Sequence, residues 1–229
     1  MARYAVISDV HANLEALEAV LDEVEGLEVY CLGDLVDYGA QPNEVIDALR
    51  RRNATCIMGN HDSAAITGDT SQFNTRAAIS SDWTRRSLTD ESLRYLKGLP
   101  LERRLSFDGV GAYLAHGSPE DRLWEYVDPS THSDLFGYYL DKVRASVIGL
   151  GHTHVPYVWK EGSGVVFNPG SVGQPRDGDW RASFAVIDTG RGDIVIEIRR
   201  VEYDVEGAAS KIREAGLPAS HAERLSTGT

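Results

Sequence analysis

The sequence has little cysteine, little lysine and no long apolar run. Cys31 and Cys56 are the only cysteines in 229 residues. Both lie in apolar runs of strand type and no CxxC pair exists. That excludes a thiolate metal site and points to buried free thiols rather than a disulfide. No apolar stretch approaches the roughly 20 residues that cross a bilayer, and the opening MARYAVISDVHAN lacks the apolar centre of a secretion signal. A cytoplasmic protein with no membrane partner is expected. Positive charge is also scarce. Lys and Arg total 23 (19 of them Arg) against 35 Asp and Glu, a formal net charge of -12. So acidic a chain lacks the basic footprint of a stable nucleic-acid binder. Small anionic substrates stay open, because a metal ion reverses the local field.

What is present is an ordinary globular composition, 42% hydrophobic and 25% charged,. The first third alternates: strand-type runs at residues 3–8, EVYCLG and ATCIMG enclose helical patterns at residues 13–25 and in PNEVIDALRRRN. This is the pattern of a parallel α/β layer. FNTRAAISSDWTRRSLTDESLRYLKGLP reads as two helices. Hairpins then dominate: LERRLSF and VGAYLAHG around DG, a second across EGSG, a third over residues 181–203. Between them lie a long aromatic and charged segment at residues 118–134, a helix in LFGYYLDKV and a strand in ASVIGL. A loop of that length is a candidate binding loop. Crossovers in one half and hairpins in the other fit two sheets packed face to face with helices outside. One domain over residues 1–229 is expected, with a short C-terminal helix and a tail from about residue 204.

Each early strand runs into polar residues: Asp9 and His11, Asp34 and Asp37, Asn60, His61 and Asp62. Further along come His116 in HG and His152 and His154 in GHTH. Five of the seven histidines fall in these blocks. In parallel sheets, ligands bind beyond the carboxyl ends of strands. Oxygen and imidazole donors without thiolates suit Mn, Fe or Zn. Seven candidate ligands exceed the needs of one ion, so two divalent ions are the natural reading. Taken singly, each block is equally a turn or a cap. All five in order after predicted strands leave that alternative little room. In GHTH, Gly151 and the nearby Pro156 suggest a loop rather than a strand.

The series Asp9-x-His11, Gly33-Asp34-x-x-Asp37, Gly59-Asn60-His61-Asp62, His116-Gly117 and Gly151-His152-x-His154 resembles the calcineurin-like metallophosphoesterase superfamily. NPGSVGQPRDGD is similar to its small bacterial and archaeal phosphodiesterase branch. NTRAAISSDWT and AHGSPEDRLWEY are loosely similar to relatives of diadenosine tetraphosphate hydrolases. The resemblance implies an α/β fold, the four-layer α/β/β/α sandwich with two mixed sheets. It implies one metal on Asp9, His11 and His154, a second on Asn60, His116 and His152, and Asp34 bridging both. Mn or Fe is favoured, with Zn, Ni or Mg as alternatives. A hydroxide between the metals would attack phosphorus in a small phosphodiester, phosphomonoester or nucleotide phosphoanhydride.

His61 is the candidate general acid, its ordinary pKa of about 6.5 allowing donation near neutrality; a shaping role is the alternative. Asp62 is expected to orient His61 or a metal-bound water. Asp37 is either a supporting carboxylate or a turn residue. Asn13 is a phosphate contact or a helix cap. Arg176 and Arg122 are candidate substrate contacts, and Trp124 and Tyr126 candidate stacking partners. His132 and His221 are expected to be structural. A noncatalytic metal-binding scaffold and a protein phosphatase of the same superfamily are the competing functions. An exposed strand edge would allow a homo-oligomer.

Overall fold

The structure, a computed structural model, describes residues 2–189 and 194–229. The expected turn of the last hairpin falls on residues 190–193, outside the described residues. The first elements are β1 (Arg3–Ile7), α1 (Leu14–Glu23), β2 (Glu28–Cys31), α2 (Pro42–Arg51), β3 (Thr55–Cys56), α3 (Asn60–Thr67), α4 (Thr75–Ser87) and α5 (Asp90–Lys97). There follow β4 (Glu102–Phe107), β5 (Val110–Ala115), α6 (Pro129–His132), α7 (Phe136–Val143), β6 (Val147–Gly149), β7 (Tyr157–Glu161) and β8 (Gly164–Asn168). The chain finishes with β9 (Ala182–Asp188), β10 (Val195–Val201), α8 (Val205–Glu214) and α9 (Ala219–Leu225).

The strands form two mixed five-stranded sheets, ordered β10-β9-β1-β2-β3 and β4-β5-β6-β8-β7. In the first, β1, β2 and β3 are parallel and β9 is antiparallel to β1. In the second, β5, β6 and β8 are parallel, and hairpins add β4 and β7 at the edges. The Asp108–Gly109 turn closing β4 on β5 has φ of 48° and 93°, the left-handed pair that a two-residue hairpin requires,.

Side-chain alternation builds the layers. Val6, Tyr30 and Leu32 point inward and meet Phe107, Leu114 and Phe167 of the second sheet. Ala5, Ile7 and Cys31 point outward and meet Leu17, Val20, Val45 and Leu49 of α1 and α2,. On the far side, Tyr113 and Ile148 pack against Phe136, Tyr139 and Leu140 of α7. Helices therefore lie outside two facing sheets. Cys31 and Cys56 are register partners on neighbouring strands, buried and unbonded as thiols.

Three local expectations change. β3 is two residues long, not six, because Met58 donates its backbone N–H to Pro100 rather than continuing a ladder. GNHD is no turn: Gly59 caps α3, whose first residue is Asn60. The expected tail contains α9, which joins α8 in a helical pair with an apolar seam of Ala208, Ile212, Leu217, Ala222 and Leu225. Among the described residues no helix is long and apolar enough to cross a membrane.

Candidate metal centre

The polar blocks all meet at one end of the two sheets. The loops after β1, β2 and β3 deliver Asp9, His11, Asp34, Asn60 and His61. Those after β5 and β6 deliver His116, His152 and His154. All are at most 5% exposed. Close approach of the loops depends on glycine. A Cβ on Gly59 would lie 2.0 Å from Asp34 Oδ1, and one on Gly151 would lie 2.3 Å from Ser8 Oγ.

The backbone is bent to aim these groups. Asp9, His11, Asp34, His152 and His154 have φ of 53°, 50°, 54°, 67° and 61°. Non-glycine residues enter this left-handed region at a cost on the order of 1–3 kcal/mol each. The surrounding loops hold them there. Asp9 and His11 donate backbone N–H groups to the carbonyls of Gly33 and Asp34, both at 3.0 Å. His152 donates its N–H to Asp9 Oδ2 at 3.1 Å. The loop reading of GHTH is what the structure contains.

The rings are oriented from behind. Nδ1–H of His11, His116 and His154 donates to the carbonyls of Val36 (3.0 Å), Leu32 (2.8 Å) and Gln174 (2.5 Å). His152 instead donates Nε2–H to the Trp124 carbonyl at 3.2 Å, leaving Nδ1 with the free lone pair. The inner nitrogens then face one another and the acids. His11 Nε2 is 3.1 Å from His154 Nε2. Asp9 Oδ1 is 3.3 Å from His154 Nε2, and Asp34 Oδ2 is 3.2 Å from His116 Nε2. Asn60 Oδ1 also faces His116 Nε2, at 3.0 Å. Neither Asp9 Oδ1 nor Asp34 Oδ2 accepts a hydrogen bond, although both are buried. Acceptors crowded together in a dry site call for positive charge, from a proton such as that on His116 or from cations,.

Titration follows the same crowding. Burial lowers the pKa of His11, reinforced by the charge of His154. Burial, with the charge of His116, pushes His152 down to about 3. Against its own burial, His116 is raised to about 9 by Asp34 and Asp9. Asp9 and Asp34 are held below the usual carboxylate range because neighbouring imidazoles outweigh burial. The donors fall into two groups whose atoms lie within 4.8 Å of one another: Asp9, His11 and His154, and Asp34, His116 and His152. Two small divalent cations fit this donor set.

The flanking residues depart from expectation. Asp62 does not orient His61. It sits at the third position of α3, and its carboxylate turns back to accept from the N–H groups of Gly59 (2.9 Å), Leu35 (2.9 Å) and Val36 (3.3 Å). Successive helical residues point about 100° apart, so adjacency in sequence is not contact. The partner of His61 is Asp37, whose Oδ2 lies 2.8 Å from Nδ1. Burial opposes the protonated form of His61, but Asp34 and Asp37 together raise its pKa. Phe73 stacks on its ring at 4.4 Å.

Asn13 is a helix cap and not a free contact: its Oδ1 accepts from Ala16 N and its Nδ2 donates to the Gly173 carbonyl. Arg122 is turned away into an ion pair with Glu102 at 2.9 Å. Of the long loop, Trp124 supplies the carbonyl behind His152, and Tyr126 lies over the His152 ring at 3.9 Å. Arg176 borders a cleft of about 470 Å³ beside the centre. Sequence reasoning missed Arg76 and Arg224 in that cleft and left its His221 as merely structural. No motif marks them.

A buried pair of acid-and-imidazole groups at the carboxyl ends of parallel strands, between two facing sheets, defines a metal-dependent phosphoesterase class of site. The sequence profile of the calcineurin-like phosphoesterase superfamily domain matches residues 3–192. An uncharacterized protein of Methanocaldococcus jannaschii is 38% identical over 98% of this chain and 97% of its own. A metallophosphoesterase from Sphaerobacter thermophilus superposes with a TM-score of 0.84 at 36% identity, covering 99% of this chain and 100% of that one. A hypothetical protein of Pyrococcus horikoshii shares the fold, with a TM-score of 0.90 at 23% identity over 100% and 99% of the chains. The chain belongs to the calcineurin-like phosphoesterase superfamily, which supports a hydrolase acting on phosphoester bonds.

Proposed function

We propose that the protein is a two-metal hydrolase of small phosphorylated substrates, phosphodiesters or nucleotide phosphoanhydrides foremost. The observation that carries this reading is the pair of unpartnered buried oxygens, Asp9 Oδ1 and Asp34 Oδ2, set among inward-facing imidazole nitrogens. Asp9, His11 and His154 would hold one divalent ion, and Asn60, His116 and His152 the other. Asp34 would be shared by both; its Oδ1 accepts from the His61 N–H at 2.8 Å and its Oδ2 has no partner. Bound there, the ions would supply an activated water and neutralise charge on the phosphoryl oxygens.

The chain's own groups supply the rest. Asp34 and Asp37 favour the protonated form of His61, and the Asp37 contact at Nδ1 leaves Nε2 on the far side of the ring, from which His61 can give a proton to the leaving oxygen,. Phe73 and Tyr38 fix its ring from two sides, with centroids at 4.4 and 4.6 Å. A retained donor of this kind favours catalysis over a noncatalytic scaffold. The test is hydrolysis of a nitrophenyl phosphodiester by metal-stripped protein reloaded with Mn or Fe. Activity should depend on the metal and vanish in Asp34→Asn. Undiminished turnover after verified metal removal would overturn the reading.

A further inference from the structure

The cleft beside the metal centre has the opposite imbalance. Arg76, Arg176 and Arg224 line it, and no carboxylate does. Several arginines elsewhere are paired, among them Arg122 with Glu102, Arg181 with Asp179 and Arg200 with Asp177. Among the described residues, none of the three cleft guanidiniums has an ion-pair partner. Arg176 and Arg224 share the single amide oxygen of Gln174, at 3.3 and 3.5 Å. Arg176 Nε is buried with no acceptor at all. Leaving a buried donor unpaired is costly, and three cations gathered in a chain of net charge -12 are not there by general composition,. The first turn of the 13-residue α4 lies in the same wall and adds a partial positive charge,.

The cleft adjoins the metal centre. Tyr38 joins them, its ring 4.5 Å from His11 on one side and 4.8 Å from His221 on the other. Arg176 is tied to the ligand loop by its N–H to the His154 carbonyl at 3.3 Å. Tyr126 closes the other end above His152. The cleft is built partly outside the family domain, whose match ends at residue 192, whereas His221 and Arg224 come from α9. His221 is 2% exposed and contacts the Arg76 carbonyl at 3.4 Å, which couples α9 to α4 across the cleft.

We propose that Arg76, Arg176 and Arg224 form an oligophosphate subsite that holds the phosphates next to the one being hydrolysed, so that the preferred substrates carry a chain of two or more phosphates. The proposal rests on the phosphoesterase reading for the scissile phosphate, but the binding step stands apart from it. Planar guanidiniums pair bidentately with phosphate oxygens, and three of them match several phosphates better than one. A cleft of about 470 Å³ falls in the usual range of small-molecule sites,.

Two measurements test it. Calorimetry on the metal-free full chain should show tripolyphosphate binding well over tenfold tighter than monophosphate. Arg224→Gln and Arg76→Gln should each weaken tripolyphosphate about tenfold, and Arg224→Lys should restore part of the loss. With metal-loaded protein, the ratio of kcat/KM for a nitrophenyl ester of a nucleoside triphosphate over that of a nucleoside monophosphate should fall about tenfold in Arg224→Gln. Equal affinity for the two anions, or tripolyphosphate binding indifferent to both substitutions, would overturn the subsite. Binding without hydrolysis of any ester would leave the subsite standing and sink the phosphoesterase reading. Thermal melts identical to wild type separate lost contacts from lost folding.

Discussion

The two halves of the groove are electrically opposite. The metal centre has acceptors without donors: Asp9 Oδ1, Asp34 Oδ2 and a set of imidazole lone pairs. The arginine cleft has more donors than acceptors: Arg176 Nε has none, Arg176 and Arg224 share one amide oxygen, and no carboxylate lines it. For the buried groups, Asp9 Oδ1, Asp34 Oδ2 and Arg176 Nε, each imbalance would be expensive alone,. Side by side they are complementary to one kind of guest, a phosphate chain that meets cations at one end and guanidiniums along its length. On the proposed reading, metal affinity and substrate reach fall to different sets of side chains.

The largest effect should come from breaking the acceptor-rich half. Asp34→Asn removes the charge shared by both proposed ions. It should lower kcat for a nitrophenyl phosphodiester by roughly a thousandfold or more, with bound metal falling in parallel by elemental analysis. Removing the metal should expose the same imbalance as instability. A ligand at a thousand times its Kd stabilises by about 4 kcal/mol, so a chelated sample should melt on the order of 10 °C below one loaded with Mn. An unchanged Tm would mean that the acceptors are satisfied without cations.

Proton donation should separate from metal binding. His61→Ala should lose roughly a hundredfold or more in kcat against an alkyl leaving group, much less against nitrophenolate, with metal content retained. Asp37→Asn should move in the same direction and shift the alkaline limb of the pH profile, where the His61 proton is lost, to lower pH,, whereas Asp62→Asn should act through the stability of α3. The smallest effect lies across the cleft. Burial pushes His221 down to about 4, below the roughly 6.5 of an unfolded histidine. The unfolded chain therefore binds this proton first. The group favours the fold fully above about pH 6.5, and that support is lost as pH falls towards 4. Melts of wild type and His221→Gln at pH 7 and 4.5 should differ by on the order of 2 kcal/mol in their acid sensitivity.

The same comparison explains what was legible in the sequence. Candidate metal ligands sit where parallel strands end, so each falls in a short polar block at a strand end, most of them beside a glycine. That Asp9, His11, Asp34, Asn60, His116, His152 and His154 would come together could be read off, as could most elements and the two-sheet layering. The cleft obeys no such rule. Arg76, Arg176 and Arg224 come from α4, a loop and α9, and only folding brings them together. The misreadings have equally local causes. Asp62 was expected beside His61 because the letters are adjacent, but α3 begins at Asn60 and turns it towards Gly59. Arg122 was expected in the groove, but β4 presents Glu102 to it first.

The left-handed backbone of the ligands constrains how this chain could change by mutation. Asn tolerates the φ of 53° and 54° found at Asp9 and Asp34, whereas valine, isoleucine and threonine do not. A change from acid to amide there would cost the ion but keep the loop. A branched residue at position 9, 11, 34, 152 or 154 would forfeit the loop path as well, and with it the placement of its neighbours. The chain thus has a graded route out of metal binding through asparagine, and an abrupt one through almost everything bulkier at Cβ.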